Sequence, residues 1–239
     1  MATFAQAQGF IGAAGSSMSI TIPTPTAGNM MVLWVAQAAV GTLTITSPSG
    51  WTTMENVNAG SGSTTRSFRG FYKIAGAGET TSVSLSSTAS NVWCAGYGEW
   101  SGVGPNTVLD NTQEEDAQTN ASGTVNTPSM TPSPGGYAAL VTFACYDRAS
   151  ATFSAPAVSG SNVGAITERV DTVQNDGGGA GQSIIVAEGN ISNVSGAYQG
   201  SATASTAGVG AGGIAIFKNA VLAMPAEPNL PLIYLRKNR

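Results

Sequence analysis

Ala27-Gly28-Asn29-Met30-Met31-Val32-Leu33-Trp34-Val35-Ala36 is the stretch on which the reading of this chain turns, because it occurs a second time. About 107 residues later comes Pro134-Gly135-Gly136-Tyr137-Ala138-Ala139-Leu140-Val141-Thr142-Phe143-Ala144. Each copy is a glycine-containing turn that opens the most apolar run in its half, after an approach rich in proline and threonine (Pro23, Pro25; Pro128, Pro132, Pro134). A short apolar run bounded by Gly and Pro, rich in β-branched and aromatic residues, reads as a strand buried on both faces.

Working outward, residues 17–22 (Ser-Met-Ser-Ile-Thr-Ile) alternate polar and apolar, as a half-buried strand does. Thr42–Thr46 alternates again before the turn Ser47-Pro48-Ser49-Gly50 and Trp51. Residues 57–65 read as a flexible loop. In the following strand Phe68, Tyr72 and Ile74 point one way and Arg69, Phe71 and Lys73 the other. Val83 and Leu85 alternate with serines, and residues 91–100 form a long aromatic strand. The second half repeats the order: Ala151–Ser154, a Pro156/Gly160 turn, Ile166–Val173, a glycine loop at Gly177–Gly181, Ser183–Ala187, and Gly213–Phe217 in the place of Gly96–Trp100.

No stretch up to residue 219 shows a period of 3.6. Regular short strands separated by turns indicate a sandwich or barrel. The expected fold is all-β: an antiparallel two-sheet sandwich, jelly-roll-like, with pseudo-repeats at about 10–105 and 120–219. One pseudo-symmetric sandwich is preferred to two in tandem, since each half alone has a thin core. Residues 101–127 carry strand fragments (Val108-Leu109, Thr124-Val125) and do not resemble a linker. The body is 1–219, and 220–239 is a separate C-terminal arm.

With 239 residues, a compact chain buries roughly three quarters of its unfolded surface and needs no covalent staples. Charged residues make up only 9%, against about 25% in ordinary domains, so hydroxyls supply most of the polar face. The net charge is −4; in the last twenty residues Arg236, Lys237 and Arg239 outnumber Glu227 by two, which leaves −6 on the rest. With no basic cluster before the arm, a nucleic-acid groove is not expected. Neither is a membrane span. The first residues lack the basic and apolar regions of a signal peptide, and the Asn-x-Ser triplets at Asn120, Asn190 and Asn193 are then chance matches.

The arm holds Pro225, Pro228 and Pro231, then Leu230, Leu232, Ile233, Tyr234, Leu235, Arg236, Lys237 and Arg239. Prolines preclude a regular helix or central strand. A stiff, extended segment ending in apolar residues and cations suits strand addition to a neighbour's sheet edge, with packing on its own domain or disorder as the other readings.

Chemistry is sparse. There is no histidine, which removes Ser-His-Asp and Cys-His sites and most zinc sites. Cys94 and Cys145 lie in apolar strands and read as buried free thiols, with a mutual disulfide as the other reading, and not as a metal or redox pair. Gly208-x-Gly210-x-x-Gly213 matches a dinucleotide fingerprint but leads into a strand, so it reads as a turn. No cofactor or metal is expected. Glu99, Asp147, Glu168 and Asp171 are the carboxylates available for a glycosidase pair. Glu99, among Trp93, Tyr97 and Trp100, has the setting for a raised pKa, although a solvated or hydrogen-bonded carboxylate is the plainer reading of all four. The acidic run Asp110, Glu114, Glu115 and Asp116 reads as a solvated connection and not as a Ca²⁺ site. Trp34 and Trp93 are core; Trp51 either caps the sandwich or offers a sugar-stacking platform, together with Tyr198.

Several of these elements have a shared character. The Gly-led strand Ala27–Ala36, Pro48–Trp51, Phe71–Ala75, a Ser/Thr strand and Trp100-Ser101-Gly102-Val103 together resemble a pattern common in tailed-phage virion proteins of the minor tail or decoration type. The resemblance spans roughly residues 10–219, and the second half lacks its Gly-Trp and Trp-x-Ser-Gly elements. It implies a non-enzymatic virion structural protein, assembled in the host cytoplasm, whose partners are capsid or tail subunits and further copies of itself, most simply in a trimer. Capsid decoration is the preferred placement. A minor tail or fibre protein, a carbohydrate-binding receptor-recognition module, and a glycan hydrolase using Glu99, Glu168 or Asp171 are the alternatives.

Overall fold

A computed structural model describes residues 1–39, 43–59, 65–104, 116–118, 123–132, 135–148, 151–175, 181–206, 208 and 210–220. The expected arm residues, Leu230 to Arg239, lie outside the described residues, as do Val108-Leu109 and most of the glycine loop at Gly177–Gly181.

The described residues form strands and no helix: β1 (Thr3–Thr21), β2 (Met30–Ala39), β3 (Ile45–Thr46), β4 (Thr52–Ala59), β5 (Thr65–Ile74), β6 (Ser82–Ser101), β7 (Asp116–Gln118), β8 (Thr124–Asn126), β9 (Ala139–Asp147), β10 (Phe153–Ser159), β11 (Thr167–Gln174), β12 (Gln182–Ile191), β13 (Gln199–Ala204) and β14 (Gly210–Lys218). Every pairing is antiparallel. The all-β antiparallel sandwich is therefore as expected. The number of sheets is greater, three in place of two: β1-β6-β2-β5-β4 with β3 added to β6, then β11-β12-β9-β14-β7, and β10-β13-β8.

The two large sheets have the same order once β1, β6, β2, β5 and β4 are matched to β7, β14, β9, β12 and β11. The three central strands can be matched position by position, although the bulges of β4–β5 and β11–β12 fall at different places, and Gly96 then matches Ala215 and not Gly213 as expected. Leu33 lies opposite Tyr97 and Phe71, and Val141 lies opposite Ile216 and Gly189. The small sheet has a counterpart too, because the first part of β6 pairs with β3 on one side and with the end of β1 on the other, as β13 pairs with β10 and β8. In the first half β1 and β6 run unbroken through both layers; in the second half their counterparts are split.

The reason the two apolar runs organise everything is now physical. Met30, Val32, Trp34 and Ala36 face a cluster shared by both halves, while Met31, Leu33 and Val35 face a core belonging to the first half alone. In β9, Leu140, Ala144 and Tyr146 join the shared cluster, and Val141, Phe143 and Cys145 the core of the second half. A central strand with a core on each side has no polar face to show, so alternation disappears. β5 divides as its sequence predicts: Phe68, Tyr72 and Ile74 turn to the shared cluster and Phe71 to the first core.

The large sheets pack face to face, and the packing is reciprocal. β6 lies against β11 and β12, and its counterpart β14 lies against β4 and β5. β1 lies against β11 as β7 lies against β4. Such exchange of equivalent surfaces is the signature of a two-fold arrangement, here within one chain. The approach is close: a Cβ on Gly96 would sit 2.5 Å from Val186 Cγ2. Gln182 Nε2 donates to the Val92 carbonyl across the interface (2.8 Å), and Arg169 lies 3.7 Å over the Phe4 ring. Each large side chain buried here contributes about 1.5–3 kcal/mol.

Three departures from the sequence reading have local causes. Residues 82–86 and 91–100 are one strand, and where its pairing with β1 is irregular buried Gln37 ties the two by donating to the Gly15 and Asn91 carbonyls (2.9 Å each). Pro156 lies inside β10, not in a turn; β10 is an edge strand with a register shift between Ser154 and Ala157, where a missing N–H costs no ladder bond. Gly210 and Gly213 lie within β14, not in a turn. At neighbouring Gly212 a Cβ would meet the Asn126 carbonyl oxygen at 2.6 Å, so small residues let β14 pass beneath β8.

Candidate functional site

Glu99, the carboxylate with the most catalytic-looking sequence setting, is fully buried near the end of β6. Its Oε1 accepts from the Thr26 backbone N–H (2.9 Å) and Asn29 Nδ2 (2.7 Å); its Oε2 accepts from the Tyr97 hydroxyl (3.0 Å) and from Gln6 Nε2. Gln6 Nε2 also donates to the Thr24 carbonyl (2.9 Å). Burial alone raises the Glu99 pKa, but the four donors outweigh it and hold the carboxyl below its ordinary value. Burial, then the neighbouring carboxylate, pushes the Tyr97 phenol up. The raised Glu99 pKa that the aromatic strand suggested is thus corrected. A locked carboxylate is no general acid. It is a latch that fastens the approach to β2 onto β1 and β6.

Of the other candidate carboxylates, Asp147, Glu168 and Asp171 do not line the cleft beside Trp51. Asp171 Oδ2 accepts from the Phe153 backbone N–H (3.0 Å), tying the start of β10 to β11. Partial desolvation by the neighbouring strands raises the pKa of Asp171 despite that bond, and partial desolvation together with Asp171 raises that of Glu168. Both residues are exposed on β11, an edge strand of its sheet. Asp147 is buried at the end of β9. Asp110, Glu114 and Glu115 lie outside the described residues, and Asp116 begins β7. Among the described residues no group of three or more His, Cys, Asp or Glu side chains is placed to hold a metal ion.

Cys94 and Cys145 are free and buried, Cys94 in the shared cluster and Cys145 in the second core. Burial, the largest influence, pushes both thiols far above their ordinary pKa. Such thiols are inert packing groups.

Tyr198 is fully buried; its hydroxyl accepts from the Ser195 backbone N–H (2.8 Å) and donates to the Ser161 carbonyl (3.2 Å). With both faces of the ring covered it offers no stacking platform, which corrects the reading of Tyr198 as a glycan contact. Trp51 packs into the first core and is 9% exposed. It caps that core, and it also lines a cleft.

That cleft, of about 380 Å³, is bounded by the turn Pro48–Trp51, by Lys73 at the end of β5, and by Glu79, Thr80, Ser82, Val83 and Ser84 around the start of β6. The turn is closed by the Trp51 N–H donating to the Pro48 carbonyl (3.1 Å) and by Ser47 Oγ donating to the Trp51 carbonyl (2.9 Å). Lys73 Nζ lies 2.7 Å from Glu79 Oε1, and Glu79 Oε2 accepts from the Gly76 N–H at 3.1 Å. Burial acts to raise the Glu79 pKa, but the bonds from Lys73 and Gly76 and the ammonium charge bring it below its ordinary value. Sequence reading missed Lys73 and Glu79. Their signal was a cation and an anion flanking the glycine turn Gly76–Gly78, a pattern that marks many hairpins without a site. Chemically the cleft offers recognition: adjoining donor and acceptor charges, hydroxyls and an aromatic edge.

No family model, curated protein or solved structure matches this chain.

Proposed function

We propose that the chain is a non-enzymatic structural protein of a tailed-phage virion, most simply a capsid decoration protein that reinforces the particle. The observation that carries this reading is the fate of Glu99. The best-placed candidate for acid chemistry has both oxygens filled by structural donors, and the fold it locks joins two similar halves through a shared apolar cluster. Such a body resists deformation and acts through its surface. The resemblance of the sequence pattern to virion proteins supplies the setting, and the low charge suits a surface that meets other subunits. In this reading the arm, with Leu230, Leu232, Ile233, Tyr234 and Leu235 followed by Arg236, Lys237 and Arg239, adds to a neighbouring subunit and builds a trimer or a higher ring.

Mass spectrometry of gradient-purified particles from the phage that encodes the chain tests the placement. The chain is expected at a copy number in fixed ratio to the capsid subunit; its absence from particles refutes the proposal. A ratio fixed instead to a tail component moves it to the tail. Light scattering of the full chain and of a chain ending at Ala220 tests the arm. Equal mass and equal particle binding for the two overturn it.

A further inference from the structure

The cleft beside Trp51 carries an inference independent of any place in a virion. Comparison of the two halves isolates it. By strand register Lys73 corresponds to Ile191, and Trp51, next to the pair Thr52–Tyr72, corresponds to Val163, which bridges Ile191. In the second half these two positions are therefore apolar, with Ile191 fully buried and Val163 packed on the second core, although Asn162 beside them donates to the Asn193 carbonyl. The fold is satisfied by two aliphatic residues there. In the first half the same corner carries an ammonium, a carboxylate 2.7 Å away and the largely buried Trp51.

We propose that this cleft binds a neutral saccharide residue through a pair of vicinal hydroxyls. Lys73 donates and Glu79 accepts at adjacent points, so one sugar hydroxyl accepts from Nζ while its neighbour donates to the carboxylate. The two charges cancel, so the site has no net attraction for an acidic or a basic ligand. Ser82 and Ser84 are exposed on the wall and add hydroxyls able to donate or accept. Trp51 supplies the apolar edge for the C–H face of the ring. The volume lies near the lower end of small-ligand sites, which run from about 300 to 1,000 Å³, and suits one or two sugar rings. The carboxylate is held from behind by the Gly76 N–H, so part of the ordering cost of binding is already met.

Tryptophan fluorescence of the full chain is the direct test, because Trp34, Trp93 and Trp100 are fully buried and Trp51 alone meets the cleft. The probes are glucose, galactose, mannose and N-acetylglucosamine with their disaccharides, and glucuronic and galacturonic acids as charged controls. At least one neutral sugar is expected to give a saturable change with a Kd in the millimolar range, weakened about tenfold or more in Glu79→Gln and Lys73→Met. Ser84→Leu, at an exposed wall position, removes a hydroxyl and narrows the cleft without adding a fluorophore or touching the ion pair, and is expected to abolish the change. Thermal melts establish that each variant is folded; if the ion-pair variants do not fold, Ser84→Leu decides. No saturable change with any neutral sugar up to about 50 mM, a stronger response to the acids, or unchanged binding in folded Ser84→Leu overturns the proposal.

Discussion

Replacing Glu99 tests the latch most directly. Glu99→Ala leaves four donors without their acceptor: Thr26 N–H, Asn29 Nδ2, Tyr97 OH and Gln6 Nε2. Asn29 and Tyr97 are buried and bear the whole loss, while the partly exposed bonds to Gln6 and Thr26 are repaired in part by water. An orphaned buried donor costs about 1–3 kcal/mol, so the expected destabilisation is about 3–5 kcal/mol. In a chain of this size that lowers Tm by roughly 6–20 °C. Glu99→Gln keeps the shape and one carbonyl oxygen; the Tyr97 hydroxyl can turn to accept, and the Gln6 amide can rotate to do so. Its cost is expected at about 1–2 kcal/mol.

The two proteins also differ in their response to acid. The folded pKa of Glu99 is lowered, so the carboxylate contributes stability in full above the unfolded value of about 4.3. That contribution is lost as pH falls through the folded pKa. Glu99→Gln has no such group. The gap in Tm between parent and Glu99→Gln is therefore expected to hold from neutral pH to about pH 5 and to narrow below about pH 4. Calorimetry across that range measures it. A gap that stays constant into strong acid, or a Tm loss below about 3 °C for Glu99→Ala, refutes the latch as a desolvated, charged network.

Gly96→Val places methyl groups where Val186 Cγ2 already lies 2.5 Å from the Cβ position; overpacking of this kind costs about 1–3 kcal/mol, read as a lower urea midpoint, and a neutral result refutes the close sheet contact. Because burial raises both thiols, native protein is expected not to react with a thiol reagent at pH 8 and to titrate two equivalents when denatured. In Gly96→Val, mass-resolved labelling is expected to reach Cys94, in the shared cluster, before Cys145, in the second core; equal rates refute the separate placement.

Much of the fold is legible in the residues. The runs beginning at Met30 and Ala139 declare strands buried on both faces, and β5 shows its two faces by simple alternation of Phe68, Arg69, Phe71 and Tyr72. The first part of β1 is not legible. Thr3–Ser17 is built from Gly, Ala, Ser and Gln with few large apolar residues, so an edge strand there leaves almost no hydrophobic period. The Ser87–Asn91 stretch of β6 reads as a break because its polar residues fall where pairing with β1 is irregular, a place that a distant side chain, Gln37, ties down.

Sequence alone determined the strand type and the doubling of the chain, since alternation, turn residues and apolar runs are local properties that survive without knowledge of partners. Only the tertiary structure decided what each face meets. Glu99 finds its donors between 2 and 93 residues away along the chain, and Trp51 meets Lys73 and Glu79 across a strand edge. Whether a carboxylate becomes an acid, a latch or a sugar contact depends on burial and on the donors around it. Those are set by long-range pairing, which no local pattern encodes.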